Sequence, residues 1–220
     1  MTHTSYAYLH GFASGPRSYK GTQVGADFAA RGVTLDQLDL NVPSFGLQTY
    51  SNALTAVDLW WGAQPPDARA VLVGSSLGGY LAARWANLHP ERVERLVLLC
   101  PGFHLVDRWP KLLGEVAFRA WERDGAFPLR DVDKKLVPVH WGFVQDARLH
   151  PPAPEVACPT LVIHGARDEV VPLQSSLDWV ALDPARRRLV TLDDDHAMTS
   201  SAPRICDEVA AFLSLPDRHG

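Results

Sequence analysis

Cysteine is scarce. Cys100, Cys158 and Cys206 are the only three in 220 residues, an odd number at wide spacing. That suits neither a disulfide framework nor a zinc-binding pattern, and it points to a reducing, cytoplasmic compartment. Basic residues are not in excess either. Lys+Arg number 21 against 25 Asp+Glu, a net charge of −4. The densest basic run, Arg186-Arg187-Arg188, is flanked by Asp183 and by Asp193-Asp194-Asp195. A nucleic-acid surface needs a concentrated basic patch, so no nucleic-acid partner is expected. No uninterrupted apolar run reaches the ~18 residues of a membrane span. The opening Met1-Thr2-His3-Thr4-Ser5 lacks the basic stretch and apolar run of a signal peptide. No membrane partner is expected. Internal repeats and low-complexity segments are absent as well.

What is present reads as an ordinary globule. Apolar residues make up 46% and charged residues 21%, enough apolar surface to offset the entropy of ordering the chain. The length suits one domain, spanning 1–220, with a small insertion. Short apolar runs alternate with longer helical ones. Tyr6–Leu9, Thr34–Leu40, Val71–Val73, Leu96–Leu99, Thr160–Ile163 and Leu189–Leu192 read as strands. Most are apolar at nearly every position, as in a parallel sheet covered on both faces. Helices are expected over Ser18–Arg31, Tyr50–Trp61, Leu77–Leu88, Gln174–Leu182 and Ala202–Leu213, each long enough for a parallel crossover. This alternation predicts an open, doubly wound, mostly parallel α/β sheet, with ligands at the carboxyl ends of its strands. The stretch from Phe103 to Ala157 breaks the rhythm. It has no clear buried strand, an amphipathic helix over Lys111–Arg123, and turn-forming Pro128, Pro138 and Pro151-Pro152-Ala153-Pro154. It reads as a small helical cap.

Gly74-Ser75-Ser76-Leu77-Gly78 fits G-x-S-x-G, with an apolar strand before it and a helix after it. That context is a nucleophile elbow, a turn so tight that side chains two residues either side of the nucleophile would collide. Ser76 has glycine at both of those positions, whereas Ser75 has Val73 and Leu77. Ser76 is therefore the candidate nucleophile. A serine hydroxyl needs a base, and the base needs an orienting acid. On such a scaffold these follow in the order serine, acid, histidine. His196 stands in the loop after the last strand, with His164 as its rival. Asp168 follows the strand Thr160–Ile163, with Glu169 and Asp193 to Asp195 as alternatives. For most of these the expected role is solvation or helix capping; no metal is expected. Backbone N–H groups of Leu77 and of Phe12, in the loop His10–Pro16, are the candidate oxyanion donors. That loop carries neither a G-x-G-x-x-G nor a Walker pattern, and no cofactor is expected.

With these parts in this order, the chain resembles serine hydrolases of the α/β-hydrolase superfamily. It is most similar to small bacterial carboxylesterases of the YqiA-like kind. The likeness lies in Tyr8-Leu9-His10-Gly11-Phe12 with Ser14, Pro16 and Lys20, in Gly74-Ser75-Ser76-Leu77-Gly78-Gly79-Tyr80, in Asp168-Glu169-Val170 and in His196-Ala197. It implies an α/β-hydrolase fold trimmed to about six strands, and a Ser76–His196–Asp168 triad. It also implies hydrolysis of a small-molecule carboxylic ester; a thioester or amide is the alternative on the same triad, and a non-catalytic binding protein on the same fold is the alternative from another class. The aromatic residues of the 103–157 segment suggest an apolar acyl pocket, with Trp141 and Phe143 nearest the acyl chain. Its small size suggests short to medium acyl groups.

Overall fold

The computed structural model describes residues 3–219. Six strands form one wholly parallel sheet: β1 (Thr4–Leu9), β2 (Asp36–Leu38), β3 (Arg69–Ser75), β4 (Val93–Leu99), β7 (Thr160–Gly165) and β8 (Arg187–Leu192), in the order β2-β1-β3-β4-β7-β8. Between β4 and β7 lies the remaining pair, β5 (Ala126–Arg130) and β6 (Leu136–His140), an antiparallel hairpin of its own. Helices α1 (Tyr19–Ala30), α2 (Tyr50–Gly62), α3 (Leu77–Leu88), α7 (Leu173–Ala181) and α8 (Ala202–Leu213) carry the crossovers or close the chain.

The period of two along each strand sorts side chains into two cores. Leu72, Leu96, Leu98 and Val162 face one way, toward Leu54 and Val57 of α2, Leu81 and Trp85 of α3, and Trp179 of α7. Val71, Val73, Val97, Leu99, Leu161 and Ile163 face the other, toward Val24 and Phe28 of α1 and Ile205 and Val209 of α8. Both faces are dry, which is why these strands read as unbroken apolar runs. Local signals set the helix starts. The Ser18 hydroxyl accepts from the Gly21 N–H, and the Thr49 hydroxyl from the Asn52 N–H. Each such cap contributes about 1 kcal/mol.

The segment between β4 and β7 differs in two ways from the sequence expectation. The helix expected over Lys111–Arg123 is two helices, α4 (Leu105–Leu113) and α5 (Glu115–Asp124), broken at Gly114, whose φ is 86°. The hairpin β5–β6 had no counterpart in the strand reading. A short α6 (Gly142–Ala147) completes the segment. Trp109, Phe118, Trp121, Trp141 and Phe143 extend the α2–α3 core into it.

The chain runs from β1 outward to β2, then returns to the other side of β1 with β3. The strand order therefore reverses between β1 and β3, and a crevice opens at the carboxyl ends there.

Candidate active site

Ser76 sits in that crevice, one residue beyond β3, with φ 53° and ψ −119°. A non-glycine residue held there costs about 1–3 kcal/mol, offset by the packing around it. The flanking glycines are steric requirements. A Cβ on Gly78 would stand 2.1 Å from the Leu9 carbonyl oxygen, and one on Gly74 would stand 2.3 Å from that of Gly78. Gly11, two residues beyond β1, lies against the serine: a Cβ there would meet Ser76 Cβ at 3.1 Å.

Two loops from the far half of the sheet bring the partners. His196 Nε2 lies 3.0 Å from Ser76 Oγ, and His196 Nδ1 lies 2.6 Å from Asp168 Oδ2. The Asp168 carboxylate is buried and fully engaged. Its Oδ1 accepts from the Val170 and Val171 N–H groups at 2.9 and 2.8 Å. Burial alone would raise its pKa, but the hydrogen bonds from His164 and His196, the charge of His196 and the Val171 N–H outweigh it. The carboxyl is held well below the usual carboxylate range. The rival His164 is fully buried behind Asp168. Its Nδ1 is 2.8 Å from the Ser176 hydroxyl, and its Nε2 is 2.9 Å from the Val171 carbonyl and 3.2 Å from Asp168 Oδ2. It braces the acid from behind, away from the serine.

The acidic run before His196 is both solvated surface and loop architecture: Asp193 and Asp195 are exposed, while Asp194 is buried. Asp193 pairs with Arg167. Asp194, 5% exposed, accepts from the Asp195 and Ser201 N–H groups. Asp195 accepts from Ala197 and Met198. The Asp195 bonds form an Asx-type turn that shapes the loop locally. Gly165 lets this loop settle on the tip of β7, since a Cβ there would stand 2.4 Å from the Asp195 carbonyl. In the sequence Gly165 is legible as the end of an apolar run, but not as the seat of this loop.

Leu77 opens α3, so its N–H lacks an intrahelical acceptor and faces the elbow. Phe12 lies in the turn after Gly11, and its ring is wedged among Phe45, Trp109 and Phe143 at centroid distances of 5.0–5.2 Å. The cavity over Ser76 has a volume of about 900 Å³. Gly11, Phe12, Ser76 and His196 line it together with hydroxyls of Tyr8, Ser14 and Ser18 and with charged Lys20, Lys134, Arg167, Glu169 and Asp195. Burial pushes the Tyr8 hydroxyl up to about 12, so it enters the site as a neutral hydrogen-bonding group. Trp141 and Phe143 do not line this cavity. Trp141 packs on Phe118, Trp121 and Arg148, and Phe143 lies behind Phe12, touching Tyr50 and Trp109. Both anchor the inserted segment to the core instead. Aromatic concentration marked where that segment packs, not where the cavity is.

The Cys100 thiol, at the end of β4, completes the surroundings. A ligating atom from each of Cys100, Asp168 and His196 lies within 4.8 Å of the other two. Burial, the largest influence, pushes this thiol up to about 12, so it stands as a neutral neighbour of the carboxylate. All three cysteines are free and buried. Among the described residues no helix is long and apolar enough to cross a membrane.

Comparison with known proteins identifies relatives of this fold. The chain is 32% identical over 141 residues to the mouse palmitoyl-protein thioesterase ABHD10, mitochondrial, covering 60% of this chain and 47% of that protein. The human counterpart is 32% identical over 118 residues, covering 50% and 38%. The chain thus spans about half the length of the curated relatives it matches or less. Among solved structures, mouse alpha/beta hydrolase domain-containing protein 10 superposes with a TM-score of 0.76 at 21% identity, over 96% of this chain and 89% of that one. Est1E from Butyrivibrio proteoclasticus with ferulic acid bound gives 0.77 at 19%, over 96% and 88%. These likenesses show an α/β-hydrolase fold with hydrolase relatives. The model of one family matches residues 5–214, nearly the whole chain, and the protein belongs to that family, the Uncharacterised protein family UPF0227.

Proposed function

We propose that the protein is a serine hydrolase that cleaves carboxylic esters of short to medium acyl chain through a Ser76 acyl-enzyme. The observation that carries this reading is the unbroken hydrogen-bond chain from Ser76 Oγ through His196 to Asp168, at 3.0 and 2.6 Å. In this reading Asp168 accepts from the Nδ1–H of His196, which leaves the Nε2 lone pair facing Ser76. His196 takes the serine proton as Oγ attacks the acyl carbon, and the negative charge that develops on the carbonyl oxygen meets the N–H groups of Leu77 and Phe12. His196 then returns the proton to the leaving group, and water repeats the sequence to free the acid. Water supplies the oxygen of the freed acid, and groups of this chain carry the proton and meet the charge. The segment between β4 and β7 serves as the cap over the strand ends.

A thioester is the second reading, favoured by the thioesterase relatives. The cavity volume falls within the roughly 300–1,000 Å³ of small-molecule sites, a size that favours compact acyl groups over long lipid chains. A panel of p-nitrophenyl esters, acyl-CoAs and amides, read beside labelling by a fluorophosphonate, tests the proposal. Wild type should label and Ser76→Ala should not, with kcat reduced on the order of 10⁴–10⁶-fold. Equal labelling, or label on Ser75, would overturn the assignment. Best activity on long-chain triglyceride emulsions would overturn the size argument.

A further inference from the structure

We propose that Lys20 is a positioning residue for His196, fixing the carbonyl of the base-bearing loop and setting the charge that the imidazole experiences. Lys20 is the second residue of α1, far from the loop in sequence, yet its Nζ donates to the His196 backbone oxygen at 2.9 Å. Its neighbour Tyr19 donates to the Thr199 oxygen at 3.4 Å. The first turn of α1 thus fastens the loop that carries His196 at two points. Upstream, α1 continues directly from the 11–16 loop that carries Phe12, and its capping Ser18 hydroxyl bonds to Tyr8. One short stretch therefore ties the candidate oxyanion loop to the base.

The choice of lysine over a neutral donor has an electrostatic reason. His196 is faced by Asp168 from the loop after β7, with His164 behind that acid, by the neutral Cys100 thiol from the end of β4, and by Ser76 from the elbow. Its own loop adds Asp194 and Asp195. Glu169, Arg167 and Lys134 lie farther out on the cavity wall, and Arg167 is tied to Asp193. Burial, the largest influence, lowers the pKa of Lys20, and the carboxylates of Asp168, Asp195 and Asp194 oppose that. Lys20 is thus the cation inserted among the carboxylates that surround the imidazole. Its positive charge stands against those carboxylates at the loop that carries His196, where a neutral donor would make the same hydrogen bond without the charge.

The inference rests on the Ser76–His196–Asp168 reading, and its test separates the two. Lys20→Met removes charge and donor but keeps an apolar stem; Lys20→Arg keeps both charge and donor. In Lys20→Met the acid limb of the kcat/KM profile should move to higher pH by roughly half a unit. Its kcat should fall about 10–100-fold with KM for p-nitrophenyl acetate little changed, and Lys20→Arg should restore the limb. The same comparison by ¹⁵N NMR titration of the His196 ring, in a Ser76→Ala background, needs no turnover, so it reports on Lys20 even if no ester proves to be a substrate. A limb and ring titration that coincide in wild type and Lys20→Met would overturn the proposal. If Lys20→Met does not fold, Lys20→Gln against Lys20→Arg makes the same charge comparison, and coincident titrations there overturn it equally.

Discussion

At the scale of single residues, the buried carboxyl at position 168 bears on stability. Its pKa lies below the usual range in the folded protein, whereas in the unfolded chain it returns to about 3.9. A carboxyl depressed by folding contributes stability at all pH values above the unfolded value and loses it as pH falls through the folded one. Acid unfolding of wild type, followed by circular dichroism, should therefore steepen below about pH 4. Asp168→Asn should lack that component, and it should lose about 10³–10⁴ in kcat by stabilising the wrong tautomer. An acid profile identical to wild type would assign that stability to other carboxylates. Ser76, its two glycines, Asp168 and His196 were all legible in the sequence, because steric crowding and chain order constrain them locally. Lys20 was legible only as part of a resemblance. Its role depends on a contact across the fold that no spacing encodes. Gly165 offers a contrasting test. Gly165→Ala forces the His196 loop off β7 by steric overlap, at about 1–3 kcal/mol. A larger loss of kcat than of thermal stability is the expected result.

At the scale of elements, all six strands of the main sheet stood where apolar runs placed them, with boundaries shifted by a residue or more. β2 is the shortest, three residues of the run Thr34–Leu40, because it is an edge strand whose pairing ends as the chain turns away toward Pro43. The hairpin β5–β6 escaped notice for a physical reason. Pro128 and Pro138 lie directly opposite each other in it, and proline in a strand-like run normally argues against a strand. A two-stranded ribbon consists entirely of edges, so each proline can turn its missing N–H outward. The aromatic cluster behind this hairpin is structural. Trp121 is fully buried and donates through Nε1 to the Val139 carbonyl at 2.7 Å, joining α5 to β6. Trp141→Ala, which empties the space beside it, should lower stability by about 3–5 kcal/mol in denaturant unfolding. The acyl chain-length profile of the surviving enzyme should match wild type; a shortened or lengthened optimum would return Trp141 to the substrate pocket.

At the scale of the whole molecule, the strand order divides the chemistry between two stretches of chain. The elbow and the 11–16 loop come from β1 and β3, while the acid and base come from β7 and β8, and the segment 100–159 separates the two. β4 and β7 are hydrogen-bonded neighbours all the same, with Leu96 paired to Thr160 and Leu99 to Ile163. Joining them closes a long loop, and contacts of such high sequence separation form late because their entropy must be spent before they return anything. The nucleophile half can thus acquire its strands and helices while the base is still unattached. In refolding from denaturant, helical circular dichroism should recover ahead of fluorophosphonate reactivity, and the lag between them would time the docking of β7 onto β4. Labelling of Ser76 then becomes a clock for the final joining of the sheet, because the hydroxyl stays unreactive until the far half of the chain arrives.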